Sequence, residues 1–180
     1  MSSRLVEGVE ASLFEILERR EYLASLIEAA LNEQPERCIL VFKLNIPGAV
    51  KNNKLIKELA ELAEQVIRER FAQSGICLEE LFLDNNLKTG PEYLLSLKGE
   101  PFHLKSIALA IEEEHPLGRL FDLDIISLNG QISRQDLTYP GRRCFCCEQD
   151  AKICGRSRAH SLSDLLLAVE NILRKAGLDC

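Results

Sequence analysis

Two aspartates, Asp122 and Asp124, stand two residues apart in the segment His115–Asp124, which reads HPLGRLFDLD. In an extended strand, residues two apart point to the same face of a sheet, so the two carboxylates share one face. Phe121 and Leu123 then point to the opposite face, where they can be buried. Two adjacent carboxylates repel each other unless a cation lies near them. The spacing therefore indicates a cation-binding site on a strand.

A second group with chemical potential is a cysteine cluster near the end of the sequence. Cys144 and Cys147 form a C-x2-C pair, Cys154 follows, and His160 comes five residues later. Three thiolates and one imidazole are a common tetrahedral ligand set for structural zinc, and Cys146 then lies outside that set. Two other interpretations are compatible with these residues, namely reduced thiols in a loop and a redox-sensing cluster.

Basic residues surround this cluster in a protein whose formal net charge is -6. A positive patch on an acidic protein usually has an anionic partner. The arginines that we expect to make this contact are Arg142, Arg143, Arg156 and Arg158.

Another candidate for anion binding is the turn NIPGAVKNN, where a strand leads into a helix. Free backbone N–H groups in such a turn, together with the Lys51 side chain, suit a phosphate. Asn45 and Gly48 belong to the same turn, whose spacing is not that of a Walker motif. Arg19 and Arg20 on the preceding helix are equally consistent with a phosphate contact and with an exposed helix face.

Hydrophobic periodicity predicts the elements that must position these residues. The predicted helices cover 9–31, the segment from Asn52 or Asn53 to Gly75, 102–114 and 161–175; the predicted strands cover 38–46, 77–83, 92–97 and 121–127, with a hairpin return after Asn129-Gly130. From 38 to 128 the order is β-α-β-β-α-β, which is typical of the ferredoxin-like fold. We therefore expect an α+β protein whose antiparallel sheet carries two helices on one face, with an additional N-terminal helix and a C-terminal Cys/His knuckle plus helix.

Length and composition favour one soluble domain over 1–180, with 141–180 as a small appendage. The acidic net charge gives no basis for nucleic-acid binding. No apolar run approaches the roughly 20 residues that span a bilayer, so we expect no membrane contact. Seven cysteines without a secretory signal are best explained as free thiols or metal ligands, and we expect a cytoplasmic protein.

Four segments, NIPGAVKNN, HPLGRLFDLDII, ISRQDL and RRCFCCEQDAKICGRSRAHS, resemble in order and spacing the citrate lyase holo-acyl-carrier-protein synthase family, also called apo-citrate lyase phosphoribosyl-dephospho-CoA transferases. The resemblance extends from about Arg19 to the last helix, and one departure is Ala49, where we expect a second proline. It implies a nucleotidyl transfer from triphosphoribosyl-dephospho-CoA to a serine of the citrate lyase acyl carrier protein, with release of pyrophosphate.

The resemblance also implies roles for single residues. The reaction calls for Mg²⁺, which Asp122 and Asp124 would hold beside the triphosphate. Arg119 would bind a phosphate through its guanidinium, His115 would accept the serine proton, and Glu112 would support the metal or act as a base. For His115 and Glu112, an exposed helix end without a catalytic role explains the residues equally well. The related enzyme of malonate decarboxylase also uses an Asp-x-Asp pair.

Two alternatives compete with this interpretation. One is a zinc-stabilised module that binds an acidic carrier protein without chemistry, and the other is a related nucleotidyltransferase with a different carrier or donor. The aspartate pair beside an arginine favours an enzyme, because a binding module has no use for two adjacent carboxylates.

Overall fold

A five-stranded antiparallel sheet forms the centre of the protein in this computed structural model, which describes residues 4–178. The strands are β1 (Cys38–Leu44), β2 (Leu78–Asp84), β3 (Glu92–Leu97), β4 (Phe121–Ser127) and β5 (Gly130–Ile132). The helices are α1 (Leu13–Glu33), α2 (Lys54–Gln73), α3 (Pro101–Glu114), α4 (Ala151–Ser157) and α5 (Leu162–Lys175). The predicted α+β class is confirmed, while residues 1–3 and 179–180 of the predicted domain lie outside the described part.

The strand order is β2-β3-β1-β4-β5. β1 pairs with β3 from Cys38 opposite Leu97 to Lys43 opposite Glu92, and its other edge pairs with β4. A strand with neighbours on both edges and helices on both faces has little contact with water, which explains why β1 is apolar almost throughout. β5 is short and pairs only with the last three residues of β4.

Helices cover both faces of the sheet. α2, α3 and α5 pack on the face that carries Leu40 and Phe42 of β1, and both of these side chains are fully buried. α1 packs on the opposite face, where it covers Ile39 and Val41. The alternation along β1 therefore separates two hydrophobic clusters, and the larger one includes Leu166 and other apolar residues of the C-terminal helix.

Helix starts follow the capping signals of the sequence. Ser12 and Ser161 each form a capping box with the residue three positions on, and the Asn53 side chain accepts a hydrogen bond from the Ile56 N–H. The first helix therefore begins at Leu13 and not at the predicted residue 9, because Ser12 has an extended backbone and acts as the N-cap. The short helix α4 was not predicted. No helix within residues 4–178 has both the length and the apolarity needed to cross a membrane.

Candidate active site on the face of strand β4

The two aspartates lie on one face of β4. Phe121, Leu123 and the other odd-numbered residues of this strand are buried, while Asp122 and Asp124 are partly exposed. In the pairing with β1, Asp124 stands opposite Val41 and Asp122 opposite Lys43. Because Val41 belongs to the cluster under α1, the carboxylates lie on the α1 face of the sheet. The predicted division of β4 into an apolar face and an acidic face is therefore present.

Asp124 lies in an environment that disfavours its charge. Burial raises the pKa of the Asp124 carboxyl, and the neighbouring charge of Asp122 raises it further. Asp124 Oδ1 accepts a hydrogen bond of 2.7 Å from Gln131 Nε2 and lies 4.0 Å from Lys105 Nζ. An aspartate pair in which one carboxyl has its pKa raised by its neighbour suits a bound cation, which would relieve the repulsion.

The free edge of β4 is completed by two charged side chains of α3. The Leu123 N–H donates to Glu112 Oε1 at 2.8 Å, and Lys105 Nζ donates to the Leu123 carbonyl at 2.7 Å. Both side chains are buried, and burial lowers the pKa of Lys105. Since β5 does not extend this far, these groups replace the strand that would otherwise satisfy the backbone of Leu123.

Glu112 also connects this edge to the segment after β5. Its carboxylate accepts hydrogen bonds from Arg142 and Arg134. Arg142 Nη2 also lies 3.0 Å from Asp122 Oδ1, so one guanidinium joins the buried Glu112 to the catalytic candidate Asp122. A fixed arginine beside an acidic pair is suited to hold an anionic oxygen near a bound cation.

Asp122 borders three cavities. One of about 190 Å³ lies between α1, the end of β1 and the loop 89–91. One of about 340 Å³ extends past Asp124 and Lys105 toward Arg142, and one of about 270 Å³ lies under Arg20 of α1. Asp122 is therefore shared by three cavities, two of which Asp124 also lines.

The turn after β1 lines one of these three cavities and also a fourth. Lys51 and Asn45, which were predicted to bind substrate, line the cavity of about 190 Å³ together with Asp122. Lys51 Nζ donates to the Ile46 carbonyl at 2.7 Å, and burial followed by the nearby Arg20 lowers its pKa. Asn45 also lines a further cavity of about 430 Å³, together with Gly48.

Arg119 lies in that larger cavity and not directly at the acidic pair. Its Nη2 atom donates to the Arg143 carbonyl at 2.5 Å, and its guanidinium lies 4.9 Å from the centre of the Phe145 ring. Burial lowers the pKa of Arg119, and Arg142 contributes to the shift. The planar, partly desolvated guanidinium on an aromatic ring forms one wall of a space that is large enough for part of a nucleotide.

His115 lies on the opposite side of the sheet from the aspartates. Its ring stacks on Phe121 at 5.4 Å between centroids, and Nδ1 accepts a hydrogen bond from the Leu117 N–H at 3.2 Å. Burial, and then Arg70, lowers the pKa of His115. It lines none of the three cavities that Asp122 borders. The structure does not bring His115 to the acidic pair, because Phe121 faces the buried side of β4.

The predicted zinc ligands converge in the segment after β5. The ligand atoms of Cys144, Cys147, Cys154 and His160 all lie within 4.8 Å of one another. Cys147 Sγ is 3.5 Å from Cys154 Sγ and 3.3 Å from His160 Nε2. Ligands of a tetrahedral zinc ion with Zn–S near 2.3 Å are separated by about 3.8 Å, so the cluster has nearly the required size.

A short antiparallel connection closes the knuckle. The Cys144 N–H donates to the Gln149 carbonyl and the Ala151 N–H donates to the Arg142 carbonyl, both at 2.7 Å. The Cys146 N–H donates to Cys144 Sγ, while the Cys146 side chain is exposed and lies outside the ligand group. The residues fit a Cys3His metal site, and His160 is followed directly by the cap of α5.

Comparison with known proteins identifies the family. A family model described as "Apo-citrate lyase phosphoribosyl-dephospho-CoA transferase" matches residues 11–176. The chain belongs to this family. A relative from Streptococcus pyogenes serotype M18, named probable apo-citrate lyase phosphoribosyl-dephospho-CoA transferase, is 37% identical over 92% of this chain and 87% of its own length. A relative of the same name from Vibrio cholerae serotype O1 is 40% identical over 74% of this chain and 76% of its own length.

The four arginines that were predicted to bind the anionic substrate of this transferase occupy different places. Arg142 and Arg158 line cavities, of about 340 and 430 Å³ respectively. Arg143 is exposed and pairs with the exposed Glu148, and Arg156 is exposed on α4. Only Arg142 contacts the acidic pair directly.

Several residues of the candidate site were not predicted from the sequence. Lys105, Gln131 and Arg134 approach the aspartates or their neighbours, but nothing in their local sequence pattern distinguishes them from surface residues. Lys43 was missed because it lies in a strand of otherwise apolar residues, although a single lysine in a central strand is itself a signal.

Proposed function

We propose that this protein attaches a phosphoribosyl-dephospho-CoA group to apo-citrate lyase. The donor is 2'-(5''-triphosphoribosyl)-3'-dephospho-CoA, and the acceptor is a serine hydroxyl of the acyl carrier protein, the gamma subunit. The observation that carries the proposal is the family match over residues 11–176, which includes the acidic pair and the cysteine cluster. The same name is borne by relatives that align with most of the chain.

The reaction is a nucleotidyl transfer. The serine oxygen attacks the α-phosphorus of the donor and a new P–O bond forms. The bond between the α-phosphorus and the oxygen that leads to the β-phosphorus breaks, and pyrophosphate leaves with that electron pair. The serine loses its proton to a base or to water. Catalysis of such a step depends mainly on positioning and on neutralising the phosphate charges.

Asp122 and Asp124 are the residues that we propose to hold Mg²⁺. Their fit rests on the shared strand face and on the pKa of Asp124, which burial and then the charge of Asp122 raise. Bound Mg²⁺ would neutralise phosphate charge, since it prefers one or two carboxylates and completes its shell with phosphate oxygens and water. Arg142, held by Glu112, would bind a phosphate oxygen beside Asp122. Glu112 thus supports the site in this proposal, and His115 has no part in it.

The remaining donor groups would occupy the cavity beside Asp122 and a second, larger cavity that shares Asn45 with it. Lys51 and Asn45 would contact the phosphates in the cavity of about 190 Å³. Arg119, Gly48 and Arg158 line the larger cavity of about 430 Å³, which suits a nucleoside or pantetheine portion of the donor. The exposed Arg143 and Arg156 remain candidates for contact with an acidic carrier protein.

The cysteine cluster is proposed to hold structural Zn²⁺. Four protein ligands, Cys144, Cys147, Cys154 and His160, leave no open position for catalysis. The ion would fix the knuckle against the cavity that Arg119 and Phe145 line. We further propose that the core is ferredoxin-like, supported by its β-α-β-β-α-β order from β1 to β4, and that the protein acts in the cytoplasm, where thiol ligands stay reduced.

Incubation with purified apo-carrier tests the function. With the triphosphoribosyl donor and Mg²⁺ present, the carrier should gain the mass of one phosphoribosyl-dephospho-CoA group, measured by intact-protein mass spectrometry. A carrier in which the acceptor serine is replaced by alanine should gain none. Carrier binding without a mass gain would instead favour a non-catalytic binding module, and a gain only with another donor would favour a related nucleotidyltransferase.

A further inference from the structure

The cavity between α1 and the end of β1 is lined by four cationic side chains. These are Arg19, Arg20, Lys43 and Lys51. Only two carboxylates, Glu92 and Asp122, line the same space. In a protein with a formal net charge of -6, a local excess of cations around one cavity calls for an anionic ligand.

The ion pairs within this cavity leave two of the four cationic side chains without a carboxylate partner among the described residues. Glu92 is buried, and its two oxygens lie 2.7 Å from Arg19 Nε and 3.0 Å from Lys43 Nζ. Within residues 4–178, by contrast, no carboxylate forms an ion pair with Arg20 or Lys51. Lys51 donates only to a backbone carbonyl, at 2.7 Å, and Arg20 contributes to the lowering of its pKa. Two cations that destabilise each other are stabilised when an anion binds between them.

Arg19 supplies a second and independent sign of a missing anion. Its guanidinium is fixed by Glu92 and by the rings of Tyr22 and Phe82, whose centres lie 4.9 and 4.8 Å away. Its Nη2 atom is buried, and no hydrogen-bond acceptor for it exists within the described part of the chain. A buried donor without an acceptor costs free energy unless a ligand supplies one. Because Glu92 and the two rings fix the position of the guanidinium, this donor is already in place for that ligand.

Size and position identify the ligand class. At about 190 Å³ the cavity is smaller than the roughly 300–1,000 Å³ of sites for drug-sized molecules, and it therefore suits a small anion. Gly90 adopts φ +110°, and a Cβ there would lie 3.1 Å from the Lys51 carbonyl, so this glycine lets the loop close over the Lys51 turn. Asp122, where the proposed function puts the reacting phosphate, lines the same cavity.

We infer that this cavity is the subsite for the β- and γ-phosphates of the donor, and thus for the pyrophosphate that leaves. Arg20 and Lys51 bind the terminal phosphate oxygens, and Arg19 donates through Nη2. When the serine oxygen bonds to the α-phosphorus, the pyrophosphate oxygen that receives the electron pair already lies among these cations. The inference rests on the proposed function, and it gives a phosphate-binding role to Arg19 and Arg20, for which the sequence left a phosphate contact and an exposed helix face both open.

Binding of inorganic pyrophosphate tests the inference separately from catalysis. Isothermal titration of the full chain with pyrophosphate and Mg²⁺ should detect binding, and dephospho-CoA, which lacks the triphosphate, should not compete with it. Because a charge-assisted hydrogen bond contributes about 1.5–3 kcal/mol, R20Q and K51M should each raise the Kd for pyrophosphate roughly tenfold or more. Arg20 is exposed, so its replacement should leave the fold intact.

Arg68→Gln is the matched control, because Arg68 is a half-exposed helix arginine that pairs with Glu64 and Glu80 away from the cavity. An unchanged Kd in both R20Q and K51M, an equal loss in R68Q, or competition by dephospho-CoA would overturn the inference. Loss of pyrophosphate affinity in R20Q and K51M supports the subsite whether or not the carrier gains mass. Failure of the transfer assay alone therefore counts against the proposed function and not against the cavity as an anion site.

Discussion

Replacing Glu112 by glutamine should destabilise the protein strongly, although the two side chains have nearly the same shape. The Glu112 side chain is 1% exposed and accepts hydrogen bonds from the Leu123 N–H, Arg134 and Arg142. Glutamine keeps one acceptor oxygen, but it loses the charge and directs an NH₂ group toward an arginine. Two partly buried guanidinium groups would then lack their shared counter-ion.

The expected loss follows from the burial of the partners. Removing one member of a buried ion pair typically costs about 3–5 kcal/mol. Arg134 and Arg142 are 14% and 18% exposed, so water recovers part of their hydration and the lower end of that range, about 3 kcal/mol, applies. For a chain of this size each kcal/mol shifts the melting temperature by about 2–4 °C, which gives a decrease of about 6–12 °C.

Urea unfolding followed by circular dichroism, with Tm from calorimetry, measures this loss. Glu113→Gln is the matched control, because Glu113 is adjacent, pairs with the same Arg134 at 2.5 Å and is 47% exposed. An exposed pair contributes at most about 1 kcal/mol, so the control should be nearly neutral. A loss below about 1 kcal/mol in E112Q, or equal losses in both variants, would refute the assigned role of Glu112 at the edge of β4.

Three other perturbations test the site. Asp122→Asn and Asp124→Asn should each abolish mass gain by the carrier while circular dichroism stays unchanged; full activity in either would remove the Mg²⁺ assignment. Burial, followed by Asp122, raises the pKa of Asp124, so stability falls as pH rises from the ordinary value of 3.8 through the raised one. Asp124→Asn should therefore raise Tm at pH 7, with a gain that disappears below pH 3.8, and a lower Tm at pH 7 would contradict this reasoning. Elemental analysis under reducing conditions should find about one zinc per chain, which C147S loses and C146S retains; no zinc in the wild type would eliminate the site.

Local periodicity was sufficient to predict the strand that carries the aspartates. The alternation of Phe121, Asp122, Leu123 and Asp124 has the period of two that a half-buried strand requires, and the structure follows it. The zinc candidates were also within reach of the sequence, because ligands spaced along one short segment are constrained by that segment alone.

Contacts between segments that are distant in the chain could not be predicted from the sequence. Lys105 meets the backbone of β4 across 18 residues, and Arg142 meets Glu112 across 30. Such contacts depend on the way α3 lies along the sheet, which a local pattern does not encode. His115 illustrates the converse, since its proximity in sequence to Asp122 does not place it near that carboxylate. The turn between His115 and Asp122 places the histidine against Phe121, on the opposite face of the sheet.

The position of the site follows from the shortness of β5. Because β5 pairs with only three residues of β4, the backbone of Leu123 has no neighbouring strand, within the described part of the chain, on the edge away from β1. A buried amide and carbonyl need partners, and α3 supplies them as Glu112 and Lys105. Glu112 carries a negative charge, so it attracts Arg134 and Arg142 to the same edge, and Arg142 extends to Asp122. The requirement to satisfy one free strand edge thus brings a fixed guanidinium beside the acidic pair, which is the arrangement that a phosphate-transfer site needs.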